Sequence, residues 1–417
     1  MRVGGRFLAV IGSIIAPIVA GAQDWPRFHG PAQDNRSPDT GLLQAWPEGG
    51  PPLLWRAQGL GEGYSTVAIA GERIYTTGDM GADLVITALD PAGQTVWTQK
   101  AGAAFTRAFP GSRATPTIHE GRLYAIGGNG ELGCFDATTG EPVWSVNFMQ
   151  QFGGREVPWG VAESPLIVGD TVICCPGGPN VLMAALDRHT GETRWTCQGL
   201  DEDHAYASAA LVDYGGLRQI VTMTNKSAVG VEAETGRLLW RHAHEASYGV
   251  NCGTPVFDDG HLYLFTTWGR GATKLRLVVN GADCAVEQVW NTPEFDNEHG
   301  GTMLVDGYWY GHADGAHKRR HFACLEDATA RIAWTSDELS GQASAALTYA
   351  DGLLYVVTDQ GDVALVRPNP ERLEIISRFR VPEGGAGPVW AYPVVCGGRL
   401  YLRHGEFLYA YDLRPQG

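Results

Sequence analysis

The hydrophobic positions of this chain fall in short runs separated by turn residues, and no stretch keeps the 3.6-residue period of an amphipathic helix. One set of runs reads "RIYTTG" (73–78), "RLYAIG" (122–127), "TVICCP" (171–176), "QIVTMT" (219–224), "HLYLFT" (261–266), "YWYGHA" (308–313), "LLYVVT" (353–358) and "RLYLRH" (399–404). Each follows a turn containing Gly or Asp, and before most of those turns stands a run of small residues such as "ATPTI" (114–118), "ESPLIV" (163–168) or "GTPVF" (253–257). Short apolar runs with turn signals about every ten residues predict an all-β chain.

The runs repeat as a unit. Trp55, Trp97, Trp144, Trp195, Trp240, Trp290 and Trp334 recur at intervals of 42 to 51 residues, the spacing of propeller blades or solenoid repeats. Most are preceded by one turn: "TALDPAGQTVW" (87–97), "CFDATTGEPVW" (134–144), "ALDRHTGETRW" (185–195), "GVEAETGRLLW" (230–240) and a degraded "CLEDATARIAW" (324–334). An acidic side chain that can bond its own turn, followed by a Gly free to take positive φ, is hairpin chemistry. Four strands per unit and eight units predict an eight-bladed β-propeller of four-stranded antiparallel blades. The last unit, 390–413, holds three strands, so "PPLLWRA" (51–57) is expected to supply its fourth and close the ring.

Domain boundaries follow. Residues 51–413 form the propeller, 23–50 an irregular arm packed on it, and 414–417 a tail. Residues 1–22 carry Arg2 and Arg6, an apolar stretch from Phe7 to Ala20 and a small-residue triplet Ala20-Gly21-Ala22, the form of a secretory signal peptide. That stretch is shorter than the ~20 residues of a membrane span, so an exported protein without a transmembrane anchor, periplasmic or extracellular, is expected. With no cysteine in the first 130 residues, a lipid anchor on the new N-terminus is not expected.

Net charge is −15, which argues against nucleic acid and anionic membrane surfaces as partners. The one basic run, "HKRRH" (317–321), lies between two strand-like segments and reads as a solvated hairpin tip. Eight cysteines (134, 174, 175, 197, 252, 284, 324 and 396) are spread through the chain, and none forms the C-x-x-C-H of an attached haem. Cys174 and Cys175 are adjacent within a second strand, where consecutive side chains point to opposite faces, so they are expected to be separate buried hydrophobes. His312, His317 and His321 lack an acidic or cysteine partner for a closed zinc site.

The D-x-x-T-G-x-x-x-W turns and the recurring tryptophans resemble the pyrroloquinoline-quinone (PQQ) type propeller repeats over residues 51–413, and "DWPRFHGPAQDNRSP" (24–38) resembles the N-terminus of exported members of unassigned function. That family contains quinoprotein dehydrogenases and non-catalytic members such as the scaffold lipoprotein of bacterial outer-membrane assembly. The dehydrogenase resemblance implies PQQ with calcium on the axis, which needs several oxygen ligands. Glu163, Asn251 and Asp296 would supply them, Asp296 or Glu298 the base, Trp159 and Trp390 an aromatic floor, and Arg113 a counter-charge for quinone carboxylates. Three departures favour the non-catalytic reading: the cysteine pair sits in an ordinary strand, the long insertions of the dehydrogenases are absent, and there is no haem site to take electrons onward. Fold alone does not transfer function.

The segments leading into the inner strands are rich in aromatic and charged residues, and the repeat places them all at one end of the axis. Arg107, Arg113, Arg155, Trp159, His204, Tyr206, Tyr248, His299, Trp390 and Tyr392 are the candidates for a recognition face. A monomeric binding or scaffold protein with no cofactor is expected, its partner an extracytoplasmic protein or small molecule met at that funnel face.

Overall fold

The computed structural model describes residues 24–299, 301–313, 320–339 and 344–415. The expected leader at 1–22 and His317 lie outside the described residues. Eight four-stranded antiparallel sheets follow one another around a ring, and among the described residues helix is confined to Phe148–Phe152 and one short turn. Blades 1 to 7 span residues 68–103, 117–147, 166–197, 210–243, 256–292, 302–336 and 345–380. Blade 8 takes three strands from 394–412, and Leu53–Ala57 pairs antiparallel with Phe407–Asp412 as its fourth. No helix among the described residues is long and apolar enough to cross a membrane.

Each gap between neighbouring blades holds its own apolar core. Ala68, Tyr75 and Ile86 of blade 1 meet Ile118, Leu123 and Phe135 of blade 2, and blade 8 meets blade 1 through Tyr401, Leu408 and Ile74. Cys174 packs into the core between blades 2 and 3, Cys175 into that between blades 3 and 4, and both are free thiols. They face opposite ways, as a strand requires.

The tryptophan turns make the joints. Asp136 accepts from the backbone N–H groups of Thr138 (2.9 Å) and Thr139 (3.1 Å), which shapes the turn. Gly140 then takes φ +80°, and a Cβ there would stand 2.7 Å from the Trp97 ring of the preceding blade. Glycine is required twice, for its backbone and for the ring lying on it. The indole N–H groups of Trp55, Trp144, Trp195, Trp290 and Trp334 donate to carbonyls of Pro91, Arg188, Ala233, Asp327 and Asn369 in the following blade, at 2.9–3.2 Å. Blade 5 departs from the pattern: its outer strands join through a tight hairpin at Gly281, and Trp240 of blade 4 donates instead to Gln219 of its own blade at 2.7 Å. Blade 7 has no outer-strand tryptophan, and Trp46 of the N-terminal arm fills that place, edge-on to Phe379 at 5.4 Å and buried with residues of blades 7 and 8.

Two further features hold the ring. Arg403 of blade 8 is buried and donates to the carbonyls of Thr77 (2.7 Å), Leu60 (3.2 Å) and Gly61 (3.0 Å), tying the closing seam to blade 1. The arm runs under the axis: Trp25 pairs with Ile69 and Pro26 accepts from Ile118 in blades 1 and 2, whereas Asn35 and Arg36 bond inner strands of blades 6 and 7. It thus crosses from one side of the channel to the other.

Candidate axial funnel

At the leading ends of the inner strands, small hydroxyl residues stitch the blades together. The Thr66 hydroxyl donates to the Tyr392 carbonyl (2.7 Å), the Thr66 N–H to Thr115 Oγ1 (3.2 Å), the Thr115 N–H to Ser164 Oγ (3.0 Å) and the Ser164 N–H to Ser208 Oγ (2.9 Å). This chain of bonds runs from blade 8 through blade 4 and explains the small-residue strands: only short side chains fit so close to the axis and still satisfy the backbone. Above it residues just before the inner strands of blades 1 to 6 and 8 surround a cavity of ≈390 Å³.

Its walls are mostly rings. Tyr64, Trp159, Tyr206, Trp390 and Tyr392 come from the strand approaches of blades 1, 3, 4 and 8, and Phe28 reaches in from the arm, edge-on to Tyr392 at 5.2 Å. Trp390 is the hub, with Tyr64, Phe109 and His299 rings at 4.8, 5.0 and 4.8 Å. At the mouth Phe109, Trp268 and Tyr248 are 48%, 40% and 85% exposed, and all three hold positive φ, at 53°, 54° and 61°. Bulky aromatic residues rarely adopt that backbone.

The polar groups are few. Arg113 donates to the carbonyls of Gly111 (2.7 Å), Ala108 (2.8 Å) and Phe109 (2.7 Å), with its guanidinium 4.2 Å from the Phe105 ring centre. Burial lowers its pKa to about 10 against the favourable fields of Tyr64 and Asp79. His299 shares a 2.7 Å hydrogen bond with Ser344 Oγ, and desolvation lowers its pKa to about 4, so the ring is neutral near pH 7. The Tyr392 hydroxyl donates to the His299 carbonyl at 2.7 Å. Glu298 and Cys252 also line the cavity.

Six of the ten recognition candidates, Arg113, Trp159, Tyr206, His299, Trp390 and Tyr392, line this one cavity. The other four stand elsewhere. Arg107 pairs with Glu156 at 2.8 Å and Arg155 with Asp201 and Asp203. His204 is buried with Nδ1 2.8 Å from the Ala205 carbonyl, and Tyr248 sits at the rim against Trp268. Phe28, Tyr64, Phe109, Trp268 and Cys252 line the cavity without having been singled out from the sequence. Tyr64 and Cys252 occupy the approach positions the repeat defines, whereas Phe28 and Trp268 lie on an arm and a second-to-third-strand loop with no repeat register.

The three oxygen-ligand candidates are each engaged at a strand approach. Glu163 Oε1 accepts from the Cys175 N–H at 2.9 Å, and burial raises its pKa to about 7. The Asn251 amide donates to the carbonyls of Thr224 (2.7 Å) and His244 (3.0 Å), and its oxygen accepts from Thr266. Asp296 Oδ2 accepts from the Gly269 N–H at 2.8 Å. None of the three is among the cavity-lining residues. Among the described residues no three His, Cys, Asp or Glu side chains group as metal ligands. As placed, the three side chains are held by protein groups rather than presented at the cavity wall.

The family model described as outer membrane protein assembly factor BamB matches residues 82–336, more than half of the chain. Over 210 residues the chain is 25% identical to the outer membrane protein assembly factor BamB of Shewanella oneidensis, covering 47% of this chain and 48% of that one. It thus spans about half the length of that relative. Among solved structures it is similar to BamB from Moraxella catarrhalis (TM-score 0.60, 14% identity, 88% of this chain and 98% of that one). It is also similar to quinohemoprotein alcohol dehydrogenase from Comamonas testosteroni (TM-score 0.67, 13% identity, 95% and 82%). Likeness at such identities carries the fold alone.

Proposed function

The chain belongs to the family of outer membrane protein assembly factor BamB, built from PQQ-type repeats, and from that premise we propose an exported, non-catalytic binding or scaffold protein that recognises a ligand or protein partner at the axial funnel face. The observation that carries this reading is the funnel itself. Eight aromatic residues surround one ≈390 Å³ cavity, and two of them, Phe109 and Trp268, are exposed at its mouth on left-handed backbone. Strained backbone persists where the surrounding structure enforces it, often at ligand clamps. Exposed aromatic rings supply large contact area when a partner covers them.

The family's name assigns its bearers to outer-membrane assembly, and for this chain a partner in the cell envelope agrees with the leader-like residues 1–22 and the acidic charge. The second reading, a PQQ- and calcium-dependent alcohol or sugar dehydrogenase, is disfavoured by the engagement of Glu163, Asn251 and Asp296 with protein groups.

The test is affinity capture of envelope proteins on the immobilised mature chain, with Trp159→Ala and Trp390→Ala as comparisons. The expected result is a defined partner held by the wild type and lost by both variants at unchanged melting temperature. A partner retained by both would remove the funnel from the account. Saturable PQQ binding with calcium that vanishes on Glu163→Gln or Asn251→Ala would replace this reading with the dehydrogenase.

A further inference from the structure

The cavity wall holds an arginine whose position is set by its own loop. Arg113 Nη2 donates to the carbonyls of Ala108 (2.8 Å) and Phe109 (2.7 Å) and Nη1 to that of Gly111 (2.7 Å), and the guanidinium lies 4.2 Å from the centre of the Phe105 ring and 6.0 Å from that of Tyr64. Phe109 presents its carbonyl to this group from left-handed backbone, at φ 53°. Trp390 closes the same corner, its ring 4.8 Å from Tyr64 and 5.0 Å from Phe109. One cation and the rings of Tyr64, Phe109 and Trp390 thus line one corner of the funnel.

That cation has no counter-ion. Arg107 and Arg155 are matched by Glu156 and by Asp201 and Asp203, whereas Arg113 makes no ion pair among the described residues. A charge taken out of water without a partner is costly. The fields acting on Arg113 come chiefly from Tyr64, Asp79, Tyr206 and Arg107. Burial raises the pKa of both phenols, so they are neutral near pH 7, and Arg107 repels. Desolvation pushes the Asp79 carboxyl up to about 6, and its Oδ2 accepts from the Phe105 N–H at 2.8 Å. Glu298, the other charged residue of the wall, has Cys252 within its field, and burial and that field push the thiol up. Three of the five guanidinium N–H groups are taken by carbonyls, which leaves two, and the buried indole N–H of Trp390 has no protein partner. The unmet groups of this corner are donors, and an oxyanion is the acceptor that meets them best.

We propose that the funnel takes the C-terminal end of a partner polypeptide, its terminal carboxylate on Arg113 and an apolar last side chain among Tyr64, Phe109 and Trp390. This deepens the binding reading given above and rests on it. The rings supply the contact area for the side chain, and the cavity of ≈390 Å³, near the lower end of ligand pockets, suits a chain end rather than a folded segment. Tyr248, 85% exposed and 5.4 Å from the Trp268 ring, is outside the cavity wall. A free acid confined to the cavity leaves it bare, whereas a chain end carries its preceding residues out through the mouth.

The experiment is calorimetric titration of the wild type with N-acetylated Ala-Ala-Ala-Phe as the free acid, the same peptide C-amidated, N-acetylated Ala-Ala-Ala-Ala as the free acid, and N-acetylphenylalanine. The first should saturate. Amidation should weaken binding by roughly tenfold or more, the size of a lost charge-assisted hydrogen bond, and the Ala-ended peptide should bind more weakly by roughly tenfold or more for want of the buried ring. N-acetylphenylalanine should bind measurably and more weakly than the tetrapeptide. Arg113→Gln should bind the acid and the amide alike, and because the end-group series is read on the wild type, it decides the matter even if that variant fails to fold. Acid and amide binding within twofold would overturn the carboxylate contact, and N-acetylphenylalanine binding as tightly as the tetrapeptide would replace the chain end by a free apolar acid. No saturable binding by any of the four would also overturn the proposal, and the partner capture above then decides the wider reading independently.

Discussion

At the joint between blades 2 and 3, Gly191 takes φ +77° beneath the Trp144 ring, and the indole N–H of Trp144 donates to the Arg188 carbonyl at 3.0 Å. At the funnel mouth Phe109, Tyr248 and Trp268 occupy the same region of backbone space while carrying large exposed rings, and the buried indole N–H of Trp390 has no protein partner. The joint gives a left-handed position to the one residue that adopts it freely and satisfies its donor. The mouth does neither. A non-glycine residue in that conformation costs about 1–2 kcal/mol, and rings left in water return little of it through packing. This joint is arranged for stability, the mouth for a shape that stability alone does not ask for, and such local conflicts mark functional positions.

Substituting both kinds of position tests the contrast most sharply. Gly140→Val should destabilise the chain by about 3 kcal/mol or more, from the forbidden backbone and the overlap with Trp97. Trp268→Gly should change stability by less than about 1 kcal/mol, since relief of strain is offset by the added freedom of the unfolded chain, yet weaken capture at the funnel. Urea denaturation of the two variants is the measurement. Equal losses of stability would mean that Trp268 is a structural residue and the contrast is false.

Glu163 stands one residue from Ala162 of the cavity wall, with its carboxyl buried and its pKa raised from 4.5 to about 7 chiefly by desolvation. Between those values the folded chain holds a proton that the unfolded chain has released. Stability therefore falls as pH rises through this window, by up to about 3 kcal/mol at 1.36 kcal/mol per unit. Glu163→Gln, which keeps an acceptor for the Cys175 N–H, should be the more stable protein at pH 8 and lose that advantage at pH 5. Denaturation midpoints at the two pH values check this. A wild type that overtakes the variant at pH 8 when calcium is added would place a cation on the carboxylate instead.

The ring was legible because its rules are local. The Asp136 cap, the Gly140 turn and the Trp144 spacing lie within one stretch of eleven residues, "CFDATTGEPVW", and repetition made the signal unambiguous. The same register pointed to Arg113, Trp159, Tyr206, His299, Trp390 and Tyr392, since each stands in the short segment just before an inner strand. It could not locate Phe28 or the diversion of Trp240 to Gln219, which depend on how the arm crosses the axis and on a blade whose hairpin has lost the Thr-Gly turn. It also placed Arg107 and Arg155 on the recognition face, where carboxylates supplied by other approach loops engage them in ion pairs. Polar partners contributed by distant loops leave no periodic trace.

The smallest expected difference lies among the joints themselves. Trp97 and Trp144 both lie on a turn glycine of the next blade, Gly140 and Gly191, so replacing either by Phe removes a similar part of a ring from a similar place. Their indole N–H groups differ: that of Trp144 donates to Arg188, whereas that of Trp97 is buried without a protein partner. Trp144→Phe removes a hydrogen bond worth about 1 kcal/mol, although the Arg188 carbonyl still accepts from the Tyr124 hydroxyl at 3.1 Å. Trp97→Phe removes a donor whose burial was uncompensated, which offsets the packing it loses. Trp144→Phe should therefore be the more destabilising by about 1 kcal/mol in paired denaturation curves. If the two losses are equal, the indole N–H contributes nothing to the joint, and the tryptophans hold the ring together by the area of their rings alone.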